Sequence, residues 1–267
     1  MWNPVLQTSP QRQGNKGFSL VELLVVIAVI AILAGLLLPA LVRAKHRVYT
    51  AACKNNLHQL QLCWHQYTHD NEGYLPPNNF VYLVDVGGNP NPRLGEDAET
   101  WCKSIAPLDP DPIDETVSVL FIYNRSPAIY RCPADRSTVK DHPGKPRNRS
   151  YNMSNSIFCR SADHFKKENE IRRPSVLFVF IDTHEDTIWD STFGVIPLSS
   201  AWRDYWLDVP ADRHHCGANL TFADGHVEYR KWRTSKKGLN IGSRAKDELD
   251  LQDLRSLQMN IKGANGN

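Results

Sequence analysis

Hydrophobic and polar positions divide the chain into an apolar N-terminal stretch and a mixed remainder. Leu23 to Val42 is a run of twenty residues without a charged or polar side chain. As a helix rising 1.5 Å per residue, this run would measure about 30 Å, the thickness of the hydrocarbon core of a bilayer. No later segment is comparably long and apolar. The pattern therefore predicts one N-terminal membrane span that carries a polar body.

An amphipathic helix is predicted directly after this run. Apolar residues recur every third or fourth position, at Cys53, Leu57, Leu60, Trp64 and Tyr67. This spacing places them on one face of a helix. Gly73 and the two prolines that follow it are typical of a helix end. We expect a single helix from Phe18 to about His69, with its second half packed on the body.

The remaining residues, 74–267, are predicted to form one globular body of short strands and long loops. The clearest strand is the apolar run 176–181. Asp224 and Gly225 lie between the short runs 220–222 and 227–229, which indicates a β-hairpin. Weaker patterns predict strands at 128–131 and 149–153, a helical turn or two at 115–123, and a polar tail after Trp232 with a loose end. The predicted fold class is α+β, a long helix packed on a small antiparallel sheet.

Composition narrows the class of protein. The chain has 31 Lys and Arg against 29 Asp and Glu, a net charge of +2. Proteins whose main partner is nucleic acid normally have a strong basic excess, so we expect no nucleic-acid partner. A mean hydropathy of −0.44 excludes several membrane spans.

A basic N-terminus followed by an apolar run also describes a secretory signal peptide. The run here is longer than a signal peptide's apolar region, which has about 7–15 residues. It is preceded by Glu22 and followed by Arg43, Lys45 and Arg47, with no clean cleavage site between small residues. These features disfavour cleavage by an ordinary signal peptidase.

The segment from Lys16 to Ile27, KGFSLVELLVVI, resembles the N-terminus of type IV prepilins and type II secretion pseudopilins. In that family a prepilin peptidase cuts after the glycine, which here is Gly17, and methylates the new N-terminal residue, here Phe18. Glu22 matches the family's glutamate at the fifth mature position. The resemblance implies a leader at 1–17, an anchoring and packing helix at 18–73, and an exported body at 74–267.

Two residues of the helix carry assembly roles in that family. A lone carboxylate beside hydrocarbon is costly, and the free amine at Phe18 of a neighbouring subunit would compensate Glu22. Such a pair would set the register of stacked helices. Alternatively, Glu22 lies at the headgroup level and is hydrated. Pro39 matches the family's helix-kinking proline.

A second resemblance lies near the C-terminus. His214, nine residues and then Asp224 and Gly225 are similar to the H-x9-DG element of a large family of prepilin-like proteins. The segments around Cys53 and Cys132 also resemble recurring segments of that family. The resemblance implies architecture more than activity. The His214–Asp224 spacing is compatible with structural pinning of a loop against a turn, with metal binding or with catalysis.

Six cysteines and a set of histidines and carboxylates are the candidate chemistry of the body. Six cysteines allow fifteen disulfide patterns, and none here has Cys-x-x-Cys spacing. Cys53 with Cys132 is the first candidate pair because both lie in recurring family segments; several buried free thiols are the alternative. The candidate metal ligands are Asp182, His184, His214 and Asp224. They are suitable ligands for zinc, although no metalloprotease spacing is present and no metal or other cofactor is predicted.

The resemblances imply a non-enzymatic pseudopilin-like subunit of a type II secretion or type IV pilus-like assembly. Its expected partners are a prepilin peptidase, other pilin-like subunits, the inner membrane and an exported cargo. It would cross the cytoplasmic membrane once, with its body in the periplasm or at the cell surface. One alternative is a membrane-anchored module that binds a glycan or a partner protein through Trp202, Tyr205 and Trp206. The other is an anchored metal-dependent hydrolase.

Overall fold

The computed structural model describes residues 19–79, 83–84, 90–91, 100–160 and 162–264. The predicted leader, including Gly17, and the predicted methylation site Phe18 lie outside the described residues. The chain forms two compact units, Met1–Lys45 and His46–Asn267, and each is taken by itself.

The first helix, α1, covers Leu20–Asp70, so the long N-terminal helix predicted from the apolar pattern is confirmed. Leucine and alanine dominate its first half, and both favour helical backbone. The helix continues through Pro39, although proline cannot donate the hydrogen bond expected at that position. It ends where the amide of Gly73, at a φ of 79°, donates to the carbonyl of Thr68 over 2.9 Å. Glycine adopts this left-handed conformation without steric cost.

Short strands and one further helix form the described part of the body. The strands are β1 (Leu83–Val84), β2 (Pro90–Asn91), β3 (Tyr151–Ser154), β4 (Phe178–Asp182), β5 (Thr192–Phe193), β6 (Tyr205–Trp206), β7 (Gly217–Phe222), β8 (Val227–Lys231) and β9 (Ser243–Arg244). The second helix is α2 (Glu248–Gln258), and short 3-10 helices cover Phe121–Tyr123, Pro127–Tyr130 and Glu168–Glu170.

The main sheet has the strand order β5-β3-β4-β7-β8. Its neighbours are antiparallel except for β3 and β5, so the sheet is mixed and the purely antiparallel prediction is wrong at this edge. The reason is a crossover: the chain leaves β4, passes β3 and adds β5 on the far side, in the same direction as β3. The predicted hairpin is confirmed, because β7 pairs with β8 around a turn at Gly225, whose φ is 96°.

Both faces of the main sheet are covered by apolar side chains. On one side lies the buried stripe of α1, including Leu57, Leu60 and Trp64. A second apolar cluster joins Phe222 of β7 to Leu257 of α2. Burial on both faces explains why β3, β4 and β7 are buried at every position.

The polar tail after Trp232 contains a helix, α2, that was not predicted, and its last residues, 265–267, lie outside the described residues. Asp247 caps this helix by accepting a hydrogen bond from the amide of Asp250, and Leu254 and Leu257 are buried. The polar composition of the segment concealed the helix, since Asp250 is itself buried and paired within the body.

Three shorter elements also differ from the expectations. The strand predicted at 128–131 is a 3-10 helix that starts at Pro127, whose fixed φ suits the first position of a helix. The strand predicted at 149–153 is present but shifted, at Tyr151–Ser154. Of the one or two helical turns predicted at 115–123, the structure keeps a single 3-10 turn at Phe121–Tyr123.

Candidate functional site

The start of α1 is fixed by a reciprocal pair of hydrogen bonds between Ser19 and Glu22. The Ser19 amide donates to the Glu22 carboxylate (2.8 Å), and the Glu22 amide donates to the Ser19 hydroxyl (3.2 Å). This arrangement is a capping box, which satisfies two amides that a helix start otherwise leaves unpaired. This capping box was not predicted, although a serine followed three residues later by glutamate is its signal. Glu22 therefore has a local structural role besides any role in assembly.

The apolar half of α1 is uncovered along its length. Its large side chains between Leu20 and Val42 keep 46% to 78% of their surface exposed. Among the described residues, α1 is the one helix whose length and composition suffice to cross a membrane. Exposed apolar surface of this extent requires lipid or other apolar helices to cover it.

The two ends of the H-x9-DG element, His214 and Asp224, contact different residues. His214 precedes β7 and Asp224 follows it, and a strand of six residues holds its ends about 17 Å apart at ~3.4 Å per residue. Asp224 instead binds His226 in the hairpin turn, with 2.6 Å between Oδ1 and Nδ1. A direct His214–Asp224 hydrogen bond is therefore not how the element acts, and the two residues do not share a metal site.

His214 belongs to a buried group that we call the four-residue cluster: Cys53, Cys132, Asp182 and His214. Their ligand atoms all lie within 4.8 Å of one another. Four separate segments supply them: the buried stripe of α1, the residues after the 3-10 helix Pro127–Tyr130, the last residue of β4 and the loop before β7. Each of the four side chains is at most 2% exposed. Tertiary folding alone brings these residues together.

The contacts inside the four-residue cluster are short. His214 Nε2 lies 3.3 Å from Asp182 Oδ2 and 3.2 Å from Cys132 Sγ. Cys53 Sγ lies 4.0 Å from Asp182 Oδ2. Burial by itself disfavours the charged imidazolium, but the hydrogen bonds to Asp182 and Cys132 outweigh it and raise the pKa of His214 to about 9. Burial likewise raises the pKa of the Cys132 thiol.

Arg213 lies next to the four-residue cluster and adds a positive charge beside it. Its guanidinium binds Asp182 Oδ1 (3.1 Å), Asp135 Oδ2 (3.2 Å) and Glu185 Oε2 (3.1 Å). Burial alone disfavours the charged guanidinium, but the attraction of Asp182 and Asp135 prevails and the pKa of Arg213 lies above its usual range. Arg213 therefore keeps its charge inside the body.

The backbone next to His214 is strained. His215 and Cys216 both adopt positive φ values, 52° and 60°, which residues other than glycine rarely adopt. Such strain costs of order 1–3 kcal/mol per residue and clusters at functional sites. No sequence signal marks it, because neither residue is a glycine or an asparagine.

The predicted ligand set is only partly assembled. Asp182 and His214 meet, whereas His184 turns to Asp186, whose amide donates to His184 Nδ1 over 3.3 Å. Asp224 lies at the hairpin turn. The cysteines of the four-residue cluster were missing from that ligand set, because they are distant from it in sequence.

The candidate disulfide joins Cys53 to Cys132. Folding places Cys53 and Cys132 in the same cluster, but the structure has no disulfide between them. The pairing stays a prediction.

The aromatic group is divided between core and surface. Trp206 is buried, and its indole donates to Asp250 Oδ2 over 3.1 Å. Trp202 is 62% exposed, and its ring centroid lies 5.1 Å from that of Tyr205.

Comparison with known proteins finds a family match in the N-terminal segment and one similar pilus protein. The family described as "Prokaryotic N-terminal methylation motif" matches residues 12–38. Over 72 residues the chain is 39% identical to the "Type IV wide pilus major component PilA4" of Thermus thermophilus. That match covers 27% of this chain and 53% of the relative, so the chain spans about half the length of the curated relative it matches. No solved structure matches the chain.

The matched family ends at residue 38 and includes no part of the H-x9-DG element, whose resemblance stays a prediction. The methylation motif includes the capped start of α1 and much of its uncovered apolar half. The chain is therefore similar to type IV prepilins in this N-terminal motif and to a type IV pilus component over 72 residues.

Proposed function

We propose that this chain is a non-enzymatic, pilin-like structural subunit of a type IV pilus-like or type II secretion-like assembly. A prepilin peptidase would cut it after Gly17 and methylate Phe18. The uncovered apolar half of α1, which begins directly after the processing site, is the observation that supports this role most strongly. A helix of this kind suits two environments in turn, the lipid of the cytoplasmic membrane and a bundle of identical helices.

The body would serve as the exported part of the subunit. It has two apolar clusters of its own, and neither includes a residue of the apolar half of α1. We propose that it lies in the periplasm or at the cell surface, where it contacts neighbouring subunits or an exported cargo. The four-residue cluster is closed to solvent, which argues against a hydrolase at that position.

Glu22 would act in assembly through the hydrogen-bond acceptor sites of its carboxylate that the capping box does not use. One carboxylate oxygen, Oε2, accepts the Ser19 amide, and a carboxylate offers about four acceptor sites in total. The free amine at Phe18 of a neighbouring subunit would bind the remaining sites. Because the capping box fixes the rotamer of Glu22, this pair would form with little loss of side-chain entropy.

Processing is tested by the mass of the N-terminus in protein taken from native membranes. We expect a chain that starts at N-methylated Phe18. Gly17→Leu should abolish cleavage and leave the leader attached, because a branched side chain replaces the glycine at the cleaved bond. Gly35→Ala is the matched control, since a Cβ at Gly35 meets no atom within 4 Å and should leave processing intact. A Gly17→Leu protein with the normal mature start would contradict the proposal.

The assembly role of Glu22 is tested by separating its charge from its capping bonds. Glu22→Gln keeps an acceptor for the Ser19 amide and removes the charge, whereas Ser19→Ala removes one capping bond and keeps the charge. We expect Glu22→Gln to lower the share of subunits recovered in sheared filaments at least tenfold, with Ser19→Ala close to the native share. The pairing is wrong if processed Glu22→Gln subunits enter filaments normally.

A membrane-anchored binding module is the second candidate, favoured by the exposed Trp202 beside Tyr205. Aromatic faces of this kind suit sugar rings or apolar partner residues. Filament fractions that lack the protein, together with glycan binding that Trp202→Ala abolishes, would favour this candidate over the structural subunit.

A further inference from the structure

We propose that the four-residue cluster is a structural zinc site. Its ligand atoms would be Cys53 Sγ, Cys132 Sγ, Asp182 Oδ2 and His214 Nε2. Thiolate, imidazole and carboxylate are the three ligand types that zinc takes in proteins, usually four of them in a tetrahedron. This proposal goes beyond the structural-subunit role and does not depend on filament assembly.

The distances among the ligand atoms suit zinc. A tetrahedral ion with bonds of about 2.3 Å to sulfur and about 2.0–2.2 Å to nitrogen or oxygen keeps its ligand atoms about 3.3–3.8 Å apart. Here His214 Nε2 lies 3.3 Å from Asp182 Oδ2 and 3.2 Å from Cys132 Sγ. The distance from Cys53 Sγ to Asp182 Oδ2 is 4.0 Å, and no pair exceeds 4.8 Å. Small side-chain rotations would therefore complete the tetrahedron.

Thr50 orients the imidazole for this role. Its hydroxyl donates to the carbonyl of His46 (3.0 Å), which uses its single proton. The Thr50 oxygen, 3.2 Å from His214 Nδ1, is then left to accept a hydrogen bond from the Nδ1 proton. In the neutral imidazole this assignment leaves the lone pair on Nε2, the nitrogen that faces the cysteines and Asp182. A hydrogen bond of this type to the other ring nitrogen accompanies most zinc-binding histidines.

The charges and outer hydrogen bonds also suit a divalent cation. Two thiolates and one carboxylate carry three negative charges, and a zinc ion would reduce them to one. Arg213 binds the other oxygen of Asp182 over 3.1 Å and supplies the balancing positive charge. The Tyr151 hydroxyl donates to Cys53 Sγ over 3.2 Å, which would stabilise a thiolate. Burying three negative charges without a cation would be far more costly.

The closed surroundings make the site structural. Four protein ligands occupy all four coordination positions of a tetrahedral zinc ion and leave none for a reacting water. Calcium and magnesium are disfavoured because they require oxygen ligands. Since the ligands come from four segments of the body, the ion would tie Cys53 of α1 to β4 and to the loops before and after it. Zinc binding would then contribute directly to the stability of this packing.

The direct test is the metal content of the full-length protein, purified in detergent from native membranes without a histidine tag or chelator. Inductively coupled plasma mass spectrometry should find close to one zinc ion per chain. Cys53→Ser should lower zinc occupancy at least tenfold, because serine is a poor zinc ligand. Cys63→Ser is the matched control: the same substitution at another buried cysteine of α1, outside the cluster, should leave zinc unchanged.

A milder variant keeps the test decisive if Cys53→Ser fails to fold. Thr50→Val removes the hydroxyl that orients His214 but leaves every ligand in place. Competition with a chelator should show zinc binding about 10–100-fold weaker than in the native protein. Folded native protein without stoichiometric zinc would overturn the proposal. So would a Cys53–Cys132 disulfide in the native protein, because a disulfide removes both thiolates, or Thr50→Val with native affinity.

Discussion

Lys236→Met is expected to lower the free energy of unfolding of the body by about 3–5 kcal/mol. The Lys236 ammonium is fully buried and lies 2.6 Å from Asp250 Oδ1 and 2.7 Å from Asp253 Oδ2. Methionine keeps the length of the side chain but removes the buried cation that Asp250 and Asp253 share. Asp253 keeps a longer ion pair, 3.4 Å to the Arg233 guanidinium, whereas Asp250 loses its ion pair to Lys236. An uncompensated buried charge is among the most destabilising changes a single substitution can make.

The neighbouring Lys237 provides the control, because it is exposed. Lys237→Met should change the free energy of unfolding by no more than about 0.5 kcal/mol. Both variants would be measured as purified full-length protein in detergent, by denaturant titration followed with tryptophan fluorescence. Trp206 and Trp232 are suitable reporters because their ring centroids lie 5.1 and 5.4 Å from the Lys236 ammonium. Equal stability of the two variants would show that the buried ion pairs contribute nothing to the fold.

Leu60→Ala is expected to lower the free energy of unfolding by about 2–5 kcal/mol. Leu60 is fully buried in the apolar cluster that joins α1 to the sheet. The truncation removes apolar contacts and leaves a cavity that surrounding residues fill only in part. Because this stripe holds α1 on the body, the variant should also expose the helix to limited proteolysis.

Leu62 is the matched control on the same helix. It is 47% exposed, so Leu62→Ala makes the same chemical change without opening a buried cavity. Both substitutions have the same effect on helix propensity, and the difference between them isolates packing. We expect Leu62→Ala to stay within about 0.5 kcal/mol of the native protein in detergent. A Leu60→Ala protein as stable as Leu62→Ala would mean that the α1 stripe does not hold the body together.

The long helix was predictable because its signals are local. Leu23–Val42 requires an apolar environment whatever the rest of the chain does, and the apolar stripe that follows has a helical period. The β7–β8 hairpin was predictable for the same reason, since Asp224 and Gly225 favour a tight turn between two short apolar runs. The methylation motif is equally local, because it consists of one short run of residues.

The strand that joins the far edge of the sheet had no such signal. β5 is two residues long and pairs with β3 only because the chain crosses over after β4. α2 was missed because its buried polar residues Asp250 and Asp253 make the segment look exposed. Their burial is possible only because Lys236 reaches them from a separate loop, 14 and 17 residues earlier.

The sequence by itself determined the long apolar N-terminal helix, its methylation motif and the period of α1, because each depends on residues close together in the chain. Tertiary structure alone decided the four-residue cluster. Cys53 and His214 are about 160 residues apart, and nothing in their spacing relates them. Tertiary structure also separated His214 from Asp224, because the extended strand β7 lies between these two residues. Long-range packing decides which side chains share a site, and the spacing of residues along the chain does not encode it.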